Sequence, residues 1–111
     1  MKYVCLIYLP AGEDLDHYIG AQFDYDETLR KSGHLVTNFA LERLDQATSV
    51  RTRNGKMSAT DGPFAETKEI LGGLYVVEAK DREEAHAIAG RIPLAEVGTI
   101  EVRPIRHLTR P

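Results

Sequence analysis

Thr60-Asp61-Gly62-Pro63-Phe64-Ala65-Glu66-Thr67-Lys68-Glu69 brings three carboxylates and an ammonium into one short run. A carboxylate shielded from water there gains the raised pKa of a general base, so Asp61, Glu66 and Glu69 are the candidate acid/base residues. Lys68, and Arg103 far along the chain, offer positive charge to an anionic or enolate oxygen. Phe64 and Thr67 complete the candidate ligand contacts. A structural reading competes: Asp61 only shapes a turn, while Glu66, Lys68 and Glu69 form salt bridges that lock two chains together.

The run contains its own corner. Asp61 can accept a hydrogen bond from backbone two residues on, Gly62 tolerates unusual dihedrals, and Pro63 fixes the next φ while steering Gly62 away from the helical region. Phe64 is the one large apolar residue before Ile70, and is expected to anchor the loop to the core.

Asp61 to Glu69, followed by Leu71-Gly72-Gly73 and later by Ala89-Gly90-Arg91-Ile92-Pro93 and Glu101-Val102-Arg103-Pro104-Ile105, resembles the DGPF branch of the YCII-related (YciI-like) family of small bacterial proteins. The resemblance covers nearly the whole chain. It implies a ferredoxin-like dimeric α/β barrel and a homodimer as the working form. It also implies two function classes: acid/base chemistry on a small molecule, or a noncatalytic regulatory module associated with an alternative sigma factor. Simpler YCII-like relatives use a His/Asp pair on the first helix and sheet; His17 does not match that spacing.

The elements that must position these groups follow from periodicity. Tyr3 to Leu9 is β-branched and aromatic, apolar on both faces, and ends at Pro10-Ala11-Gly12, as a strand covered on both sides does. Glu13 to Ser32 predicts a helix with acids at its start, Arg30 and Lys31 near its end, and Gly33 as its stop. Leu15, Tyr18, Ile19, Phe23, Tyr25 and Leu29 fill one broad face, into which Gln22 and Asp26 also fall, one turn apart. Those two either reach solvent at the edge of a wide arc or line a polar cavity.

His34 to Leu41 alternates as a strand. Thr48 to Arg53 and Lys56 to Ala59, joined by Asn54-Gly55, predict a type I′ hairpin. Its Arg51, Arg53 and Lys56 form the basic cluster of the chain, read either as solvated charges or as a grip for an anion. Ile70 to Ala79 is a central strand with Gly72-Gly73 marking a bulge or close backbone approach. Asp81 to Glu84 opens a second helix as a capping box, and Gly98 to Ile105 is the last strand. The order β-α-β-hairpin-β-α-β is a split βαβ plan, α+β, with an added hairpin. Both helices then lie on one side of the sheet, and a second copy is the economical cover for the other.

The 111 residues, with 42% hydrophobic and 28% charged side chains, predict a single globular domain over 1–111. A net charge of −3 excludes the electrostatic footprint of a nucleic-acid or anionic-membrane binder. No apolar run approaches a bilayer span, and the N-terminus has no cationic and hydrophobic leader, so a cytoplasmic location is expected. The lone Cys5 sits in an apolar run and reads as a small buried hydrophobe. His17, His34, His86 and His107 lack metal-ligand spacing, and there is no glycine-rich phosphate loop or Gly-x-Ser-x-Gly elbow. Neither metal nor cofactor is expected.

Overall fold

The computed structural model describes residues 1–111, with β1 at Lys2–Pro10, α1 at Ile19–Lys31, β2 at Leu35–Ala40, β3 at Thr48–Arg53, β4 at Lys56–Asp61, β5 at Glu69–Glu78, α2 at Arg82–Gly90 and β6 at Thr99–Pro104. The main sheet is antiparallel throughout, in the order β2-β5-β1-β6, while β3 and β4 form a separate two-stranded sheet. This is the ferredoxin-like split βαβ plan with an inserted hairpin.

Alternation along the strands divides the apolar residues between two faces. Tyr3, Cys5 and Ile7 of β1 and Tyr75 and Val77 of β5 are buried with Leu29, Ala85, Ile88, Ala89 and Ile92, so one face carries the helices. Val4, Leu6 and Tyr8 point the other way, opposite Val76 and Leu74 in register, and stay only half-buried. Glu101 and Arg103 extend that open face across β6, where Glu101 accepts a hydrogen bond from the Tyr8 hydroxyl at 3.4 Å.

Local chemistry explains most boundaries. Asp81 caps α2 by accepting the Glu84 N–H at 2.9 Å, and Glu84 reaches back to the Lys80 N–H at 3.1 Å. Asn54 and Gly55 have φ of 52° and 73°, the geometry of a type I′ turn. The first helix is shorter than its sequence suggests: Asp14 accepts the Asp16 N–H at 3.0 Å and a 3-10 turn at Asp16–Tyr18 precedes α1. Side-chain competition for the backbone delays the α-helix past the acidic segment.

The corner after β4 differs in its fastening. Gly62 takes φ of 103°, but Asp61 makes no side-chain hydrogen bond. The corner is held instead by the Gly62 N–H on the Ala47 carbonyl at 2.8 Å and by the Ser49 hydroxyl on the Gly62 carbonyl at 2.8 Å. Phe64 is 83% exposed, so it does not anchor the loop in this chain's core. The ring lies at the surface beside Thr48, Val50 and Arg51 of β3, outside the core cluster.

Candidate functional site

Four residues of α1 at helical spacing, Ile19, Gln22, Phe23 and Asp26, face β2 and β5 without closing on them. The facing strands are small there. Ala40, Gly72 and Gly73 leave room that larger side chains would fill, and a cavity of about 360 Å³ remains between helix and sheet. Gly73 is obligatory for this geometry, since a Cβ would lie 2.7 Å from the Phe39 carbonyl oxygen. Leu94, carried by the 3-10 turn after α2, forms part of the wall.

The polar groups of the cavity are wired to each other. Tyr75, 3% exposed, donates its hydroxyl to Asp26 Oδ1 and accepts from Gln22 Nε2 at 3.3 Å. The Leu94 N–H donates to Gln22 Oε1 at 3.2 Å, which fixes the amide orientation. Asn38 is paired with Tyr75 across β2 and β5 and lines the same space. Burial first, and then the Asp26 carboxylate, push the Tyr75 phenol well above its ordinary range, so it remains a neutral donor. Asp26 Oδ2 has no hydrogen-bond partner in the chain, and the half-buried residue lines a largely apolar space.

Asp26 is the one charged group among the lining residues. A carboxylate so placed accepts a proton or a hydrogen bond from a bound molecule, while the two amides orient it. An anionic ligand would meet like charge and no cation.

The seven residues singled out by the sequence lie elsewhere. Asp61 ends β4, and Phe64, Glu66, Thr67 and Lys68 are exposed on the connection to β5. The Thr67 hydroxyl donates to the Glu69 carbonyl, and Glu69 Oε1 accepts from Thr99 at 2.8 Å, so these two hold the loop to β6. Arg103 stands on the open sheet face. None of the seven borders the cavity. Gln22 and Asp26, polar positions on an otherwise apolar helix face, were the legible signal for it; Tyr75 and Asn38 read as ordinary strand residues.

The YCII-related domain model matches residues 1–109. The chain belongs to the YCII-related family. An uncharacterized protein of Rhizobium meliloti is 39% identical to this YCII-related chain over 61 residues, which is 53% of the chain and 49% of that protein. The match therefore spans about half the length of the curated relative. Among solved structures, the 5-chloro-2-hydroxyhydroquinone dehydrochlorinase of Burkholderia phenoliruptrix, in complex with 2,5-dihydroxybenzoquinone, superposes with a TM-score of 0.55 at 15% identity, over 96% of this chain and 95% of that one. The shared fold is thus that of the YCII-like α/β barrel proteins. No helix of the chain is long and apolar enough to cross a membrane.

Proposed function

We propose that the cavity between α1 and the sheet binds a small, uncharged, hydroxylated ring compound and that Asp26 accepts a proton or hydrogen bond from one of its hydroxyls. The observation that carries this reading is the Asp26–Tyr75 pair: a carboxylate with one oxygen held by a neutral phenol, the other without a partner in the chain, in the wall of a largely apolar cavity of small-molecule size. Gln22 and Asn38 supply an amide hydrogen bond on either side of Tyr75. The apolar walls from Ile7, Phe23 and Leu94 take the faces of a ring.

Two further features support a small-molecule role over a purely structural one. The lining is predominantly hydrophobic with a few convergent polar groups, the usual composition of a ligand site. The structural neighbour acts on a hydroxylated hydroquinone, which makes that chemical class the first to try. We also propose a homodimer, with the half-buried Val4, Leu6, Leu74 and Val76 of two open sheet faces covering each other.

Calorimetric titration with hydroquinone, and with benzoate as an anion of similar size, tests the ligand class. Hydroquinone is expected to bind and benzoate to bind at least about tenfold more weakly, because Asp26 repels it. Tighter binding of benzoate would overturn the reading.

A further inference from the structure

The β3–β4 hairpin is an arm separate from the main sheet, with the exposed Phe64 beside β3. All its residues but Ser49 are exposed, including Val50 at 59% and Met57 at 70%. A two-stranded ribbon alone is at best marginally stable in water, so this arm needs a surface. The radius of gyration, 16.1 Å, exceeds the roughly 13 Å of a compact chain of this length.

The ribbon is two-sided. Its pairing places Val50, Thr52, Met57 and Ala59 on one face and Arg51, Arg53 and Lys56 on the other. The three cations make no ion pair in the chain.

A complementary surface is lined by the linker that leads to the arm. An open groove of about 760 Å³ runs between the β1–α1 connection and the β2–β3 connection. Leu15, Leu41 and Leu44 give it apolar walls; Arg43 in the same wall is paired with Asp45 at 2.8 Å, while Glu13, Asp14, Asp16 and Glu42 stand along it without a cation, so the groove carries a net negative charge. Gly72 borders both this groove and the Asp26 cavity, so an occupant of the groove sits directly beside the ligand site.

We propose that this acidic groove receives the β3–β4 arm of a second copy of the same chain, in reciprocal exchange about a two-fold axis. The arm cannot serve its own groove. Asp45 in the groove wall is just before the arm's root, and six-residue strands carry the Asn54–Gly55 tip about 20 Å away from it. The groove of a partner meets both faces of the ribbon: leucines take Val50 and Met57, and the flexible stems of Arg51, Arg53 and Lys56 reach over to the carboxylates. A nucleic acid or anionic membrane would satisfy the cations alone and leave the acidic leucine groove empty. The inference rests on the proposed homodimer and adds to it which segments the two chains exchange.

The test is a disulfide between arm and groove. A tagged Met57→Cys chain is co-expressed with an untagged Leu15→Cys chain, purified through the tag and mildly oxidised; native Cys5 is fully buried and supplies no competing thiol. A tagged–untagged disulfide dimer is expected. Arg51→Glu with Arg53→Glu on the arm should cut its yield about tenfold, and Asp14→Lys with Asp16→Lys on the groove chain should restore it. The arm exchange is overturned if no such disulfide forms while sedimentation velocity shows a dimer, or if Met57→Cys chains cross-link to each other equally well. A monomer at micromolar concentration would overturn the homodimer as well.

Discussion

The hydroxyl of Tyr75 on β5 donates to the carboxylate of Asp26 on α1, joining sheet to helix across the wall of the cavity. The bond has both a structural and a chemical consequence, and they separate by substitution. Tyr75→Phe keeps the ring in the core but removes the donor to a charged acceptor, and should lower stability by about 1–2 kcal/mol. Asp26→Asn keeps a side-chain oxygen that can still accept from Tyr75, and should cost less. Urea melts of Tyr75→Phe, of Asp26→Ala, which removes the acceptor, and of the double variant give the coupling; additive losses would mean that the hydroxyl and the carboxylate do not interact.

Gly73 and Gly72 are expected to differ although they are neighbours. A Cβ at Gly73 meets the Phe39 carbonyl oxygen at 2.7 Å, which is backbone of the paired strand, whereas at Gly72 it meets the Leu9 Cδ1 at 2.6 Å, the end of a flexible side chain. Gly73→Ala should cost about 2–3 kcal/mol and Gly72→Ala about half of that or less, because Leu9 can change rotamer. Equal losses in thermal or denaturant melts would contradict this account of the β2–β5 contact.

Much of the fold was legible because the local signals agree with each other. Asp81 and Glu84, Asn54-Gly55, and the Gly33 stop each carry one physical instruction that tertiary packing leaves intact. The helix start was not legible, because Glu13, Asp14 and Asp16 suit a helix N-terminus and a side-chain-bonded turn before a 3-10 segment equally well. The site was half legible. Gln22 and Asp26 interrupt an apolar helix face, but the room before them is made by Ala40, Gly72 and Gly73, and the absence of side-chain volume leaves no periodic trace. The run from Asp61 to Glu69 is rich in charge, yet its Phe64 and Lys68 are exposed and none of its residues lines the cavity.

Phe64 should therefore contribute little to the folding of this chain. With the ring 83% exposed, Phe64→Ala is expected to change the unfolding free energy by less than about 1 kcal/mol in denaturant melts. A loss of about 3–5 kcal/mol, the cost of truncating a core aromatic, would contradict the exposed position.

Alkaline pH should unfold the protein through groups that burial keeps neutral. Burial raises the Cys5 thiol from its ordinary 9.0 to about 11, and raises Tyr25 from 10.0 to about 12, with Arg91 lowering it and Cys5 raising it by smaller amounts. Tyr75 shifts in the same direction. Each folded-state value lies above the unfolded one, so the stabilisation is complete below pH 9 and is lost as pH rises through 9 to 12. Cys5→Ala should move the onset of that loss from about pH 9 to about pH 10, where the tyrosines begin. An unchanged onset would show that Cys5 titrates in the folded state as it does in the unfolded chain.

The most direct test of the site is calorimetric titration of hydroquinone into the wild type, Asp26→Asn and Asp61→Asn proteins. Binding at the Asp26 cavity predicts that Asp26→Asn weakens affinity at least about tenfold, roughly 1.4 kcal/mol, while Asp61→Asn binds as the wild type does. Unchanged affinity in Asp26→Asn, or a loss confined to Asp61→Asn, would contradict the cavity as the ligand site.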